Sequence, residues 1–345
     1  MTFLLRAFFL SVIFVGASIT LYSTEFDKRL TVVFLQNLQK KIAIELEDAE
    51  VSTALFLAYE NGTCKAGRVF EIKSSKEKFD YKNTVFPLGK SSVALVSLMA
   101  LNMQECGLLK VSSDVSSYFS KFRTSRGKVN GATFENLLSQ TAGVPYLADK
   151  IPLNSSADEF LDTLAQMNFS IAETSYYPSV ASQAIACYGL AYLFENSSKD
   201  LKKSFVRASR KYLFTPLKID VVKFRNYDKW SFPVVSFALN LEGIERWLVC
   251  ETSKNPPIST ATLIAFRRNK FSVNSPISNG WQKVENAPME AVCAKSSHNV
   301  NIIYRTGNDS FALSLYVKGG DEKKLSKIFS RIIERVNLLL TENKN

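Results

Sequence analysis

Histidine is almost absent from this sequence, since His298 is the only one among 345 residues. A serine–histidine–aspartate hydrolase would have to use His298, and so would most zinc sites. We therefore expect any catalysis to run on lysine, tyrosine, serine or carboxylate side chains. We interpret His298 itself as a surface or loop residue, and we expect no metal or other cofactor.

Cysteine is also sparse, and no two cysteines form a Cys-x-x-Cys pair. Five of them are spread singly along the chain, at Cys64, Cys106, Cys187, Cys250 and Cys293. Such spacing is typical of small buried apolar residues. One disulfide is possible in an oxidising compartment, but the spacing selects no pair.

Low-complexity tracts and internal repeats are missing too, so nothing in the composition marks a linker. Apolar residues make up 46% of the chain and charged residues 22%, which is typical of a globular protein. The length fits one large domain or two ordinary ones.

Long apolar runs are absent except at the start, where residues 7–22 carry no charge and are mostly apolar. Sixteen residues are short for a membrane span but fit the apolar core of an export signal. We predict a signal peptide or anchor over residues 1–25, with residues 3–22 as the anchoring segment. A cleaved signal and a retained anchor both stay open. In either case the domain at 26–345 would lie outside the cytoplasm, where nucleic acid is not an expected partner.

The net charge of +11 is concentrated between Lys199 and Lys229, where ten Lys or Arg residues face three Asp residues. Apolar residues at 201, 205, 208 and 212 follow helical spacing, which predicts a helix with a basic outer face. The outer face carries Lys202, Lys203, Arg207, Arg210 and Lys211. It is either an ordinary solvated surface or a surface that attracts anionic membrane or polymer.

The order of predicted elements indicates an α+β fold. Apolar spacing predicts helices over 34–46, 91–106, 157–167 and 183–195, and Asn61-Gly62 predicts a hairpin turn. Strands are predicted again at 301–304 and 310–317, before a last helix with one continuous apolar stripe. We therefore expect one antiparallel sheet built from both chain ends, flanked by helices, with a helical subdomain inserted at about 90–215.

The stretch FPLGKSSVAL, residues 86–95, contains the Gly-Lys-Ser that ends a phosphate-binding loop. Thr84 occupies the position of the first glycine of such a loop. The preceding KEKFDYKN is too charged for a buried central strand, and no parallel-sheet pattern is present. A nucleotide site is therefore not expected here.

Five local segments, in order, resemble the serine β-lactamase-like family, which includes class C β-lactamases, DD-peptidases and related esterases. The most specific segment, ATFENLLSQTAGVPYL, is similar to the family's "iTi..LL.HTSGlp". The others are CGLLKVSSDVSSYF, FTPL, SQAIACYGLAYLFE and NGW. The resemblance covers about residues 50–340 and implies the β-lactamase/transpeptidase-like fold.

The resemblance also implies three catalytic clusters, each of which is altered in this chain. The family's "F.iGS..K" falls on residues 86–93, which puts Lys90 at the nucleophile position and Val93 at the lysine position. The family's Tyr-x-Asn falls on Ser182 and Ala184. Its Lys-Thr-Gly resembles Lys295, Ser296 and Ser297.

A shifted arrangement is the alternative, with Ser91 or Ser92 as the nucleophile and Tyr176 or Tyr177 supplying a phenol. Lys90 would be a poor partner for it, because neighbouring residues on a helix do not face each other. We expect a non-catalytic, exported member of the family that binds a peptidoglycan-like peptide or an envelope protein. The rival expectations are an active divergent serine hydrolase and a structural envelope protein that adheres through its basic helix.

Overall fold

The computed structural model describes residues 31–71, 79–118, 132–144, 157–166, 180–197, 200–224, 237–268, 276–287, 289–306 and 309–342. The described helices are α1 (Val32–Asp48), α2 (Ser91–Glu105), α3 (Phe134–Leu138), α4 (Ala157–Ala165), α5 (Val180–Phe194), α6 (Leu201–Ser209), α7 (Leu241–Thr252), α8 (Thr260–Arg267) and α9 (Glu322–Glu342). The described strands are β1 (Val51–Glu60), β2 (Thr63–Glu71), β3 (Val85–Pro87), β4 (Val222–Phe224), β5 (Phe237–Asn240), β6 (Ile277–Ser278), β7 (Trp281–Lys283), β8 (Glu290–Lys295), β9 (Asn299–Thr306) and β10 (Asp309–Gly319).

A seven-stranded sheet in the order β2-β1-β10-β9-β8-β7-β6 forms the centre of the fold. Its strand pairs are antiparallel, and the pairing of β1 with β10 joins the two ends of the chain. The predicted turn at Asn61-Gly62 connects β1 to β2, with both residues in the left-handed region of φ. The α+β class and the sheet built from both chain ends are thus confirmed.

One face of this sheet is covered by α1 and α9. Both helices bury an apolar stripe, including Leu35 and Leu46 of α1 and Phe329 of α9, none of which is exposed. Glu45 of α1 joins the two helices through Arg335, at 2.9 Å, and Arg331, at 3.5 Å. The last helix therefore covers a sheet face, as its apolar stripe predicts.

The other face of the sheet packs against α2, which is apolar on nearly every side. Residues 91–103 of this helix are all buried. A helix that is hydrophobic all round belongs in the interior of a domain rather than on its surface. The first turn of α2 is therefore held between the sheet on one side and the helices of the middle segment on the other.

A second, three-stranded sheet in the order β3-β5-β4 stands directly before α2 and α7. Phe86 of β3 pairs with Leu239 of β5, which fixes where the chain enters α2. Asn240 then caps α7, its side chain accepting a hydrogen bond from the backbone N–H of Gly243 at 2.9 Å. Strands this short carry no readable periodicity, and the sequence did not predict this sheet.

The structure describes the cysteines but not the predicted export segment. Residues 1–30 lie outside the described part of the chain, so the predicted signal or anchor is not described. Within the described ranges, no helix is both long and apolar enough to cross a bilayer. All five cysteine thiols are unpaired, and Cys187, Cys250 and Cys293 are buried.

Candidate functional site

The start of α2 lies against the turn between β8 and β9. Gly89 has a φ of +48°, and a Cβ added there would stand 2.5 Å from the Cβ of Ser296. Only a residue without a side chain fits so close to a neighbour in this backbone conformation. The structure therefore brings the first motif, at Gly89 and Lys90, into contact with the third, at residues 295–297.

Lys90 is exposed at the start of α2, and Val93, one turn later, is buried, with 5% of its surface exposed. The backbone beside Val93 is pressed against Gly280, where an added Cβ would lie 2.3 Å from the nitrogen of Ala94. The Asn279-Gly280-Trp281 segment thus packs on the first turn of α2. A valine at this position holds no proton that could be transferred to or from a substrate.

Ser91 and Ser92, the two hydroxyls beside Lys90, are both completely buried. The Oγ of Ser91 accepts a hydrogen bond from Nδ2 of Asn301 at 2.7 Å. The Oγ of Ser92 accepts one from the backbone N–H of Phe237 at 3.0 Å, which ties β5 to the helix. Both hydroxyls therefore have structural partners and no exposed surface from which to reach a substrate.

A buried polar network continues from Ser91 into the sheet. The Oδ1 of Asn301 accepts a hydrogen bond from the phenol of Tyr316 at 2.6 Å. Nearby on the same strand, Asn299 donates to the carbonyl oxygen of Pro87 at 2.8 Å, which holds the end of β3. Burial raises the pKa of the Tyr316 phenol well above its usual range, so this phenol stays protonated and can donate its proton to Asn301.

The side chains of the third motif point in different directions. Lys295 donates from Nζ to the Oγ of Ser330 at 2.8 Å, so it faces α9 rather than α2. Ser297 is exposed, and its Oγ lies 2.8 Å from Nδ1 of His298. Of the three, Ser296 alone is seen in contact with the start of α2.

Cys293, on β8, is a nucleophilic side chain that the sequence reading did not single out. Burial raises the pKa of its thiol to about 11, although the ammonium groups of Lys295 and Lys90 oppose the shift. The reactive form of cysteine is the thiolate. Because the thiol stays protonated at neutral pH, Cys293 offers no ready nucleophile. Lys295, two residues further along β8, was the signal in the sequence, whereas Lys90 comes near Cys293 only in the folded chain.

The second motif lies on α5, where Ser182 is 1% exposed and Ala184 is 3% exposed. Neither side chain therefore reaches the surface. Tyr176 and Tyr177, the residues of the alternative arrangement, lie outside the described part of the chain. In the described ranges, no three His, Cys, Asp or Glu side chains are grouped as metal ligands would be.

Comparison with solved structures gives consistent matches over most of the chain. The matches include the hydrolase EstCE1, described as having promiscuous acyltransferase activity, at a TM-score of 0.67 and 12% identity, covering 87% of this chain and 99% of that one. A class C β-lactamase from Rhodobacter sphaeroides matches at a TM-score of 0.60 and 12% identity, over 86% and 99% of the two chains. FmtA from Staphylococcus aureus matches at a TM-score of 0.59 and 13% identity, covering 88% of this chain and 90% of that one. This chain has the serine β-lactamase/transpeptidase fold.

No family model and no curated protein matches the sequence. The β-lactamase/transpeptidase fold is therefore shared with structural neighbours that are only 12–13% identical to this sequence. In this fold the altered first and third motifs lie together, as the contact between Gly89 and Ser296 demonstrates. Lys90, the exposed residue at the start of α2, is the side chain that a ligand approaching this junction would meet.

The basic helix predicted at 199–229 begins as α6 and changes to a π-helical turn at Arg210–Phe214. Its inner residues Leu201, Phe205 and Ala208 are buried, as predicted, whereas Tyr212 is half-buried. Several outer side chains have local partners. They include Lys203 with Asp200 at 3.2 Å, Arg207 with Glu195, and Lys211 over the rings of Phe194 and Tyr212.

Proposed function

We propose that this chain is a non-catalytic protein of the serine β-lactamase/transpeptidase fold that binds a cell-envelope ligand. The observation that carries the proposal is the state of the two serines at the start of α2. Ser91 and Ser92 are buried and hydrogen-bonded, while the exposed position next to them is Lys90. An acyl-transfer nucleophile must reach the carbonyl carbon of its substrate, and neither hydroxyl has a path to one.

The positions that would activate a nucleophile also hold side chains that cannot act as a base there. Val93 replaces the lysine one turn into the helix, and Ala184 replaces a polar residue on α5. Lys295 is engaged with Ser330 on the opposite side of the strand. An active serine hydrolase would need a base within hydrogen-bond reach of its hydroxyl. The described residues around Ser91 and Ser92 provide amide and backbone donors instead.

The proposed ligand is a peptidoglycan-like stem peptide or an envelope protein, received at the junction of Gly89, Lys90 and Ser296. Lys90 would supply a positive charge for a peptide carboxylate where related enzymes would present a hydroxyl. We further propose that residues 3–22 export and anchor the chain. The basic face of α6 would then add contact with anionic membrane or polymer.

Covalent labelling tests the non-catalytic part of the proposal. Full-length protein is incubated with a fluorescent penicillin and, separately, with a fluorophosphonate, beside an active class C β-lactamase. We expect labelling of the control enzyme alone. Stoichiometric labelling that disappears in Ser91→Ala or Ser92→Ala would instead establish the rival function, an active divergent serine hydrolase.

Ligand binding is tested with a synthetic stem pentapeptide ending in D-Ala-D-Ala, measured by calorimetry. We expect Lys90→Ala to weaken binding by about 10- to 150-fold, since a lost charge-assisted hydrogen bond costs about 1.5–3 kcal/mol. Lys283→Ala, which removes an exposed lysine of β7, is the matched control. Equal affinities for the two variants would contradict a role for Lys90.

A further inference from the structure

A cavity of about 400 Å³ lies beside the altered site, where the segment before β3, strand β4, the turn between β8 and β9 and the end of β10 meet. The residues that line it include Asp80, Pro87, Lys223, His298, Val317 and Lys318. Lys90, Ser91 and Ser296 are not among its lining residues. This volume falls within the range of small-molecule sites, and the cavity contains the chain's only histidine.

Two lysines, Lys223 and Lys318, line the cavity. Among its described lining residues, Asp80 supplies the one carboxylate. The carboxylate of Asp80 is already committed to its own turn. It accepts hydrogen bonds from the backbone N–H of Lys82 at 2.8 Å, from that of Asn83 at 3.3 Å and from Nδ2 of Asn83 at 2.7 Å.

These hydrogen bonds, led by that from the Asn83 side chain, lower the pKa of Asp80 below its usual value. Asp80 therefore stays ionised within the turn. Among the described residues, no ion pair joins Lys223 to any carboxylate. The positive charge of Lys223 in this cavity thus has no carboxylate partner among the residues that the structure describes.

His298 adds an imidazole ring that is held in position. Its Nδ1 lies 2.8 Å from the Oγ of Ser297, and its backbone carbonyl accepts a hydrogen bond from the N–H of Val317 at 2.9 Å. The side chain and backbone are thus both held at the cavity. No partner for Nε2 is found in the described part of the chain, which leaves this ring nitrogen for a ligand.

We propose that this cavity binds a small oxyanion, a phosphate or carboxylate group, through Lys223, Lys318 and the imidazole of His298. Lysines act on such groups as compact point charges with rotatable donors, and the imidazole contributes a directed donor. The site goes beyond the proposed function, because its proposed ligand contacts come from Lys223, Lys318 and His298, while Ser297 of the third motif only holds the His298 ring. It also gives a role to the lone histidine.

The single histidine makes the test specific to this site. Full-length protein labelled with ¹⁵N-histidine, purified in neutral detergent with a tag that contains no histidine, gives one pair of ring signals. These signals are followed during titration with inorganic phosphate and, separately, with citrate, at fixed pH and ionic strength with chloride as the reference anion. We expect a saturable shift with at least one of the two oxyanions, and which one binds decides between phosphate and carboxylate.

Variants then locate the binding. We expect Lys223→Gln with Lys318→Gln to raise the Kd at least tenfold. The control pair Lys283→Gln and Lys327→Gln removes the same charge from exposed positions and should change the Kd less than twofold. If the double variant unfolds, the single variant Lys223→Gln is used instead, because Lys223 is exposed and its replacement should not disturb the fold. We expect this variant to raise the Kd several-fold. No saturable shift in the parent protein, or equal loss in the test and control variants, would overturn the proposal.

Discussion

The two faces of the large sheet are built in different ways. The face under α1 and α9 is an apolar layer, with side chains such as Val300 and Ile302 of β9 alternating toward the helices. On the opposite face, the same strand presents Asn299 and Asn301, which hydrogen-bond to the end of β3 and to the start of α2. Packing on the first face requires only apolar side chains of matching shape, whereas packing on the second face also requires specific hydrogen-bond partners.

This difference shows what the chain has retained and what it has changed. The polar face fixes Ser91, the end of β3 and the entry to α2 as firmly as an active site would require. Yet the side chains held there are amides and buried hydroxyls rather than a nucleophile and its base. The start of α2 is therefore held by structural hydrogen bonds to both serines, which is the basis of the proposed non-catalytic function.

The apolar face is expected to give the largest single effect. Phe329→Ala removes a fully buried ring from α9. We expect a loss of about 4 kcal/mol in the free energy of unfolding, from lost transfer energy and the cavity left behind. Urea unfolding followed by circular dichroism measures it. Lys327→Ala, on the exposed side of the same helix, should change stability by less than about 0.5 kcal/mol.

The polar face should be almost as sensitive to one added methyl group. In Gly280→Ala the new Cβ would lie 2.3 Å from the backbone nitrogen of Ala94, and φ is +80°. We expect a cost of about 2–4 kcal/mol from overpacking and backbone strain.

Gly107→Ala separates these two causes, because Gly107 has a φ of +75° and nothing within 4 Å of the added Cβ. It should cost about 1 kcal/mol, from strain alone. If the two alanine variants lost the same stability in urea, the close packing of Gly280 on α2 would be wrong.

A pH dependence is expected from Glu251, which is fully buried beside Arg305, at 3.0 Å. Burial raises the pKa of this carboxyl to about 7, even though Arg305 and Arg267 oppose the shift. The folded state then holds a proton that the unfolded chain releases at its ordinary, lower pKa. Stability from this group is therefore present at low pH and declines as pH rises through about 7.

Urea unfolding at pH 5 and pH 8 measures this term. Integration over that window gives a loss of about 2 kcal/mol for the parent protein. In Glu251→Gln, the free energy of unfolding should not show this loss between pH 5 and pH 8. An identical pH slope in parent and variant would contradict the raised pKa of Glu251.

The smallest expected effect concerns Ser92. Ser92→Ala removes the acceptor for the buried N–H of Phe237, at a cost of about 1–2 kcal/mol. Ser97→Ala is a control on the same helix, since the Ser97 hydroxyl donates only to the carbonyl oxygen of Val93, at 3.0 Å. We expect a smaller loss there, because no N–H group is left without an acceptor. Equal losses would argue against a structural role for the Ser92 hydroxyl.

The sequence predicted those parts of the fold that local pattern determines. The stripe through Leu325, Phe329 and Val336 identified α9, and Asn61-Gly62 identified the first hairpin. The pairing of Phe86 with Leu239 could not be predicted, because the two residues are distant in sequence and their strands are too short for a periodic signal. Residue types alone likewise could not tell a buried serine from an exposed one.

The candidate site was predictable to a similar degree. Resemblance placed Lys90 and Ser296 in separate altered clusters, and the contact between Gly89 and Ser296 required the folded chain. The direction of Lys295 toward α9 depends on its register in β8, which one residue of slippage would reverse. The significance of His298 depended on neighbours from β4 and β10, which no local pattern indicates.

The pairing of β1 with β10 has a consequence for how the chain folds. Asn61 and Asp309, which are 248 positions apart, are joined by a side-chain hydrogen bond at 3.0 Å next to this pairing. Strand β1 thus gains its central partner only when β10, more than 240 residues later in the chain, has emerged. Contacts of such long range slow folding and leave strand edges open in the meantime. Synthesis that stops short of β10 would therefore leave β1 unpaired on that edge, a target for chaperones or proteases.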